Sequence, residues 1–305
     1  MTGSSAARLA EFSSDLADLV SSAAAAVVAI RLNGGRSTSG IVWRPGYVVS
    51  AAEALNEESA ALRVVSGTAS EHAATLLGRD PGTDVAVLGV EGSSGEAPQA
   101  ADPALLRAGE LALALGRSPE HGPIVSFGSI AVAGSAWHSQ PGGRIDHFIR
   151  LDSSLTRAAE GGAVLGLDGR LIGMAVRGPR RALLVIPSQT IGRVVDQLLA
   201  TGRIGRGYLG IAMQPVQLPQ GLQKLANTSV GLLVSAVDGE SGAALGGLLL
   251  GDVIVAWNGE PVRDYRQVQH LLGPESVGST VTVAALRGGA RIDLRVTVGE
   301  RPASG

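Results

Sequence analysis

Residues 151–176 read LDSSLTRAAEGGAVLGLDGRLIGMAV, and this stretch decides how the whole chain is interpreted. Two apolar runs, Ala163–Leu167 and Leu171–Val176, flank the turn residues Asp168-Gly169-Arg170. Short apolar runs on either side of a Gly-containing turn are typical of a β-hairpin. A loop that ends in the paired glycines Gly161-Gly162 leads into the first run. The sequence therefore predicts a loop followed by a hairpin in a β-rich protein.

Similar short apolar runs, separated by turn residues, occur on both sides of this hairpin. About ten strands with regular turns between them favour antiparallel barrels or a sandwich. The composition agrees, because 43 glycines and an aromatic content of 3% suit turn-rich β structure. Besides the hairpin, we predict strands at Ala26–Ile30, Ser39–Trp43, Gly46–Ser50, Leu62–Val65, Asp84–Leu88, Leu111–Leu115, Val125–Ala131, His147–Leu151 and Leu183–Ile186.

Two helices bound the strand-rich region. Residues 8–25 carry apolar side chains at three- and four-residue spacing, which predicts an amphipathic helix. A second helix is predicted over Ser188–Leu199, with Ser188 as its N-cap. Residues 200–207 are polar and glycine-rich, which is typical of a domain boundary. We therefore predict an N-terminal helical segment (1–25), a β domain (26–204) and a smaller C-terminal domain (206–300).

The composition limits the classes of partner and location. Apolar residues make up 45% of the 305 residues, so each domain can bury a core. A net charge of −2 gives no reason to expect a nucleic-acid partner. No run reaches the roughly 20 apolar residues that span a bilayer, and no signal-peptide pattern is visible. The expectation is a protein without cofactors in the cytoplasm, or in the periplasm if the start of the sequence has been removed.

Several segments, among them Gly46–Leu55, Asp80–Leu88 and Leu151–Gly162, resemble in chain order those of the HtrA-type serine proteases. Gly46–Leu55 resembles the strand and turn that carry the catalytic histidine of that family, and Asp80–Leu88 resembles the segment with the catalytic aspartate. Leu151–Gly162 has the spacing of the family's nucleophile loop. The resemblance implies a mainly β fold, in which a trypsin-like double six-stranded β-barrel is followed by a PDZ domain.

Two of the three catalytic positions implied by this resemblance carry a different residue. Glu53 stands where the family has its histidine, and Glu160 stands where it has its serine. Asp84 alone matches the family. The oxyanion loop is also altered, since Ala158 stands at a position where the family usually has glycine. We therefore expect the loop of Ala158, Ala159, Glu160 and Gly161 to be relaxed rather than preformed for catalysis.

The altered positions remove the chemistry of amide hydrolysis. That chemistry needs a hydroxyl nucleophile and a base that accepts its proton. A carboxylate is a poor nucleophile toward an amide, and loss of either the serine or the histidine costs about a million-fold in turnover. The sequence predicts an inactive protease homologue. The alternative is a hydrolase of the serine-endopeptidase family with residual activity, or with activity based on carboxylates or a metal.

If the fold is as implied, Glu53, Asp84 and Glu160 converge on one spot. Two carboxylates 4 Å apart repel each other by about 4 kcal/mol at an effective dielectric constant near 20. One glutamate can then hold a proton at raised pKa, the side chains can separate or pair with an arginine, or a cation such as Ca²⁺ can bind. Separation or pairing is the favoured outcome, because three carboxylates are few for calcium.

The last 95 or so residues resemble a PDZ domain. Leu249–Gly259 carries a close match to the family's GDxIxxxNG signature, and Arg206–Ile211 resembles its carboxylate-binding loop. Such domains bind peptides by adding a strand to a sheet edge. The expected ligand contacts are Tyr208, Leu209, Gly210, Ile211, Val268, Leu271 and Leu272, although the last three also fit ordinary core positions of a helix.

The sequence as a whole predicts a non-catalytic protein that binds peptides or protein C-termini as a scaffold, adaptor or chaperone. The resemblance also implies a homo-oligomer, such as a trimer, because HtrA-type proteins typically form trimers.

Overall fold

The computed structural model describes residues 3–55, 62–67, 70–92, 95 and 97–301. The chain divides into two compact units, Met1–Ile204 and Gly205–Gly305. Two closed six-stranded β-barrels make up most of the first unit, and the second is built on a six-stranded sheet and a separate two-stranded sheet. The mainly β fold with a double barrel that the sequence predicts is therefore confirmed.

The first barrel closes because β1 pairs with both β2 and β4. The strand order around it is β1-β2-β3-β6-β5-β4. Its interior is filled by small branched side chains such as Ile30, Val48 and Leu88, all fully buried. The strands are β1 (Val27–Arg31), β2 (Ser37–Arg44), β3 (Tyr47–Ala51), β4 (Leu62–Ser66), β5 (Ser70–Asp80) and β6 (Val85–Val90).

The second barrel has the order β11-β14-β13-β12-β7-β8 and contains the predicted hairpin as β12 and β13. A two-stranded hairpin of β9 and β10 is inserted between β8 and β11. The strands are β7 (Leu111–Ser118), β8 (Gly122–Gly134), β9 (Trp137–His138), β10 (Arg144–Ile145), β11 (Phe148–Asp152), β12 (Ala163–Gly166), β13 (Leu171–Arg177) and β14 (Leu183–Pro187).

Two helices accompany the barrels. The predicted N-terminal helix is present as α1 (Gly3–Ala23), and the second as α2 (Ser188–Thr201), which packs with Ile191 and Val195 on the core between the barrels. The predicted N-cap is wrong by one residue, because Pro187 occupies the cap position and Ser188 is already helical. The fixed backbone angle of proline ends β14 and starts the helix at once. None of the described helices is long and apolar enough to cross a bilayer.

The second unit has a sheet of order β16-β17-β18-β20-β21, with β19 paired to β18 and a separate pair of β15 and β22. In this order β16 is an edge strand, with β17 on one side. Its elements are β15 (Gly207–Tyr208), β16 (Ile211–Gln217), α3 (Gln220–Ala226), β17 (Val230–Val237), α4 (Gly242–Leu245), β18 (Val253–Trp257), β19 (Glu260–Pro261), α5 (Tyr265–Leu271), β20 (Thr280–Arg287), β21 (Ala290–Thr297) and β22 (Gly299–Glu300).

Candidate functional site

A cleft of about 640 Å³ lies in the first unit, and the three predicted carboxylates all line it. Glu53 is in the turn after β3, Asp84 in the turn between β5 and β6, and Glu160 in the loop before β12. The structure thus brings together residues from both barrels. The other walls are partly apolar and partly basic; they include Trp137, Ile145, Val176, Leu184, Ile186, Arg36, Arg157 and Arg177.

Asp84 is presented by a turn that Asp80 holds in place. The buried Asp80 carboxylate accepts hydrogen bonds from the N–H of Gly82 at 3.0 Å and of Thr83 at 3.1 Å, and from the Thr83 hydroxyl at 2.8 Å. Asp84 itself has a φ of 58°, in the left-handed region. Aspartate and asparagine enter this region more readily than other side chains. The turn therefore fixes the Asp84 side chain toward the cleft.

Burial raises the pKa of the Asp84 carboxyl to about 7. The hydrogen bond from the Glu53 N–H to Asp84 Oδ1, at 2.8 Å, opposes this rise, while the nearby Glu53 and Glu160 carboxylates add to it. A raised pKa on one of the glutamates was one of the outcomes that the sequence analysis left open. The structure gives a raised pKa to Asp84, a half-buried carboxyl with no cationic group among the neighbours that set its pKa.

This raised pKa predicts how the stability of the first unit depends on pH. The folded chain binds the Asp84 proton more tightly than the unfolded chain. The contribution of Asp84 to the free energy of unfolding is therefore greatest below about pH 4. It falls by up to about 4 kcal/mol as the pH rises to about 7 and is constant at higher pH. Asp84→Asn keeps an acceptor for the Glu53 N–H and should therefore gain stability relative to wild type between pH 4 and 8.

Urea unfolding of wild type and Asp84→Asn at each pH, followed by tryptophan fluorescence, measures this difference. The matched control is Asp15→Asn, which alters an exposed aspartate on α1. The difference in unfolding free energy between Asp15→Asn and wild type should not rise with pH in the same way. Parallel pH curves for wild type and Asp84→Asn would contradict the assignment.

Glu160 is buried at the position of the missing nucleophile and is paired with a cation. Its side chain is 10% exposed, and its Oε2 lies 3.3 Å from Nη2 of Arg177 at the end of β13. Glu53, in contrast, is exposed. Of the outcomes that the sequence analysis left open, pairing with an arginine applies to Glu160, while the charges of Glu53 and Glu160 still act on Asp84. The sequence did not identify Arg177 as the partner, because only the folded hairpin brings it to the loop.

The loop that precedes Glu160 forms a single 3₁₀ turn over Arg157–Ala159. The Glu160 N–H donates to the Arg157 carbonyl at 3.3 Å, so this N–H is used inside the turn. Ala158 does not adopt a positive φ. An oxyanion hole needs backbone N–H groups that point at the reacting oxygen. In this conformation the Glu160 N–H is not free for that purpose.

The first barrel holds this loop in place. The Glu160 carbonyl accepts from the Ser39 N–H at 2.8 Å and the Thr38 hydroxyl at 2.7 Å, while the Ser39 hydroxyl donates to the Ala158 carbonyl at 2.6 Å. Gly161 has a φ of 81°, and a Cβ there would collide with the Ser39 carbonyl. The conformation of the loop is therefore fixed by its contacts with β2.

No histidine lines the described part of the cleft, and none is among the groups that set the pKa of Asp84. In the part of the chain that the structure describes, no group of three histidine or acidic side chains has the geometry of a metal site. The Glu160 carboxylate is turned toward Arg177, which leaves it poorly placed to share a cation.

A second candidate site is the loop before β16 in the second unit. Gly210 has a φ of 73° and is packed so closely that a Cβ would collide with the Ser241 side chain. The carbonyls of Leu209 and Gly210 accept from Ala243 and Asp238, at 3.2 and 2.7 Å. Within the described residues, their N–H groups have no such internal acceptor. Backbone N–H groups arranged in a loop of this kind can hold a carboxylate.

The remaining candidates in this unit differ in accessibility. Leu209 is buried, and Ile211, the first residue of β16, is half-buried. Tyr208 of β15 pairs with Gly299 of β22. On α5, Val268 is 1% exposed and belongs to the core, whereas Leu271 is 42% exposed. Leu272, just after the helix, is half-buried. The accessible apolar side chains at this end of the helix are therefore Leu271 and Leu272.

Asp252, in the GDxIxxxNG segment, serves the fold of this unit. Its buried carboxylate accepts from Arg287 Nε at 2.8 Å and Nη2 at 2.7 Å, and from the Leu249 N–H at 2.9 Å. Burial alone would raise its pKa, but these donors hold the pKa of Asp252 below its ordinary value. Asp252 therefore fixes the turn before β18 and is engaged away from any ligand.

Comparison with known proteins agrees with both halves of this description. Residues 38–174 match the family described as Trypsin-like peptidase domain, and residues 207–298 match the PDZ domain. The chain is 31% identical over 273 residues to a probable periplasmic serine endoprotease, DegP-like, of Pseudomonas fulva, which covers 86% of this chain and 55% of the relative. Its fold matches the HtrA-type protease AlgW with a tripeptide at 27% identity and a TM-score of 0.71, covering 94% of this chain and 98% of that one.

Its two domains and its fold are those of the HtrA-type proteases. A second relative, the periplasmic pH-dependent serine endoprotease DegQ of Escherichia coli, is 30% identical over 262 residues, which cover 83% of this chain and 56% of the relative. This chain thus spans about half the length of the curated relatives it matches. A second structure, AlgW with a decapeptide, matches with a TM-score of 0.73 at 25% identity and covers 94% of this chain and 99% of that one.

The expectation of a cytoplasmic location is wrong. The HtrA-type relatives are described as periplasmic. The composition could not reveal this, because a net charge near zero and the absence of cysteine fit either compartment.

Proposed function

We propose that this chain is a catalytically inactive HtrA-type protein that binds peptides or protein C-termini outside the cytoplasm. The observation that carries the proposal is the replacement of the nucleophile by Glu160, whose carboxylate is paired with Arg177 at 3.3 Å. An ion-paired carboxylate offers neither a hydroxyl to attack an amide nor a base to activate one. Glu53 at the histidine position and the internally bonded Glu160 N–H add to this support.

Peptide binding is assigned to the PDZ unit. The edge position of β16 allows a ligand strand to be added to the sheet, and the Leu209 and Gly210 N–H groups are placed to hold its terminal carboxylate. Leu271 and Leu272 would contact the side chain of the last ligand residue. Such a protein would act as a scaffold, adaptor or chaperone, because it binds chains without cutting them.

We also propose that the chain forms a homo-oligomer, as the resemblance implies. In support, α1 leaves Leu9 67% exposed and Phe12 39% exposed. The Phe12 ring packs against Phe127 of β8 with ring centroids 6.3 Å apart, and Phe127 is itself 45% exposed. Exposed apolar residues gathered in this way suit a protein–protein contact.

Two measurements on the full chain test the proposal. Casein incubated with the wild type should yield no fragments above the buffer control, and a labelled peptide with a free C-terminus should bind more tightly than its C-terminal amide. Casein cleavage that disappears in Glu160→Ala would overturn the inactive assignment. Equal binding of the acid and the amide would overturn the role of the carboxylate loop.

A further inference from the structure

The cleft of the first unit carries two arginines without a carboxylate partner in the described residues. Arg36 lies just before β2 and Arg157 opens the 3₁₀ turn; both are exposed and line the cleft. A third arginine of the cleft, Arg177, is already paired with Glu160. The cleft therefore has cationic groups that its own structure does not neutralise.

The two arginines flank one junction between the barrels. The start of β2 and the loop after Arg157 are joined by the hydrogen bonds from Thr38 to the Glu160 carbonyl and from Ser39 to the Ala158 carbonyl. Both hydrogen bonds are made by buried side chains of β2. They tie the loop that carries Arg157 to the strand that Arg36 precedes.

The acidic groups of the cleft do not offset these arginines fully. Glu160 is neutralised by Arg177, and Asp84, whose pKa burial raises to about 7, carries less than a full negative charge near neutral pH. Glu53 remains as an exposed anion of the cleft, in the turn after β3. The two unpaired arginines therefore outnumber the exposed, unpaired glutamate among the residues that line the cleft.

The rest of the cleft suits an apolar side chain. Trp137, Ile145 and Val176 line it together, and its volume of about 640 Å³ is in the range of sites that hold a ligand. When a ligand covers such a wall, any guanidinium at its edge loses water and needs a new partner. Carboxylates are the partners that arginine binds most strongly, often with two parallel hydrogen bonds.

We propose that Arg36 and Arg157 make this cleft selective for extended peptide segments in which apolar residues stand next to acidic residues, the acidic side chains being bound by the two arginines. The segment lies inside a chain and does not need a free C-terminus, which distinguishes this site from the PDZ loop. The inference rests on the proposed function, because a segment that was cut would not remain bound.

The probe is a fluorescein-labelled peptide Ala-Val-Leu-Val-Glu-Glu-Ala, acetylated and amidated at its ends so that the carboxylate loop cannot hold it. Matched peptides replace the Glu pair with Gln-Gln or Lys-Lys. With the full wild-type chain, fluorescence anisotropy should show the Glu peptide binding at least about 10-fold more tightly than either match, since an added charged hydrogen bond commonly gives a factor of that order.

The double variant Arg36→Ala/Arg157→Ala should reduce this preference to less than about 2-fold. Arg150→Ala, which removes an exposed arginine of β11 outside the cleft, should leave it unchanged. Equal binding of the three peptides, tighter binding of the Lys peptide, or no binding of an intact peptide would overturn the inference. Mass spectrometry of the peptide after incubation separates the two proposals, because fragments would instead overturn the loss of cleavage.

Discussion

A chain that carries Glu53→His and Glu160→Ser together should cut casein only weakly, although it restores all three catalytic residue types. In an intact site of this kind, regaining the serine and histidine is worth about a million-fold in turnover. Here the second requirement, an oxyanion hole, remains unmet. The N–H of residue 160 donates to the Arg157 carbonyl at 3.3 Å, and Ala158 lacks the positive φ that glycine reaches freely.

Adding Ala158→Gly to this double variant should raise kcat by a further factor of about 10² to 10³, the usual value of one oxyanion donor. The glycine allows the peptide between residues 157 and 158 to turn, which moves the Arg157 carbonyl away from the N–H of residue 160. Hydrolysis of fluorescent casein, measured as initial rates for wild type, double and triple variants, gives these factors.

Three controls make this result interpretable. Glu160→Ser alone should be as inactive as wild type, because no base is present to take the hydroxyl proton. Asp84→Asn in the triple variant should remove most of the regained activity, since the aspartate orients the histidine. A double variant as active as the triple would show that the 3₁₀ turn does not limit catalysis.

The sequence predicted the parts of this site that local patterns determine. Short apolar runs and glycine-containing turns predicted the hairpin of β12 and β13. The resemblance to the HtrA-type proteases implied that Glu53, Asp84 and Glu160 meet, and all three line one cleft. These predictions worked because each residue lies at a strand end, whose position follows from the barrel.

Other features depend on contacts between distant segments and could not be predicted. The Glu160–Arg177 pair forms because the end of β13 passes beside the nucleophile loop, and no spacing in the sequence indicates it. The pKa of Asp84 depends on burial, which the sequence does not give. The sequence pattern around Val268 fitted a groove residue as well as a core residue. Only the folded structure shows that Val268 is 1% exposed and belongs to the core.

In the PDZ unit, Gly210→Ala should lower the affinity for a peptide with a free C-terminus by about 100-fold. Gly210 combines a φ of 73° with contact against Ser241, whose hydroxyl donates to the Asp238 carbonyl at 2.6 Å. An added methyl group would force the loop away from Ser241 and turn its N–H groups out of line. Loss of two hydrogen bonds to a carboxylate is worth about 3 kcal/mol, which corresponds to that factor.

Gly251→Ala is the matched control, because Gly251 has a φ of 89° but no atom within 4 Å of an added Cβ. The left-handed backbone alone should cost each variant about 1 kcal/mol of unfolding free energy. Gly251→Ala should therefore lose stability in urea unfolding but keep its affinity for the peptide, measured by fluorescence anisotropy. If Gly210→Ala is unfolded, the wild type still provides the test, because C-terminal amidation of the peptide should weaken its binding by a similar factor. Equal affinities of the two variants would show that the contact with Ser241 does not position the loop.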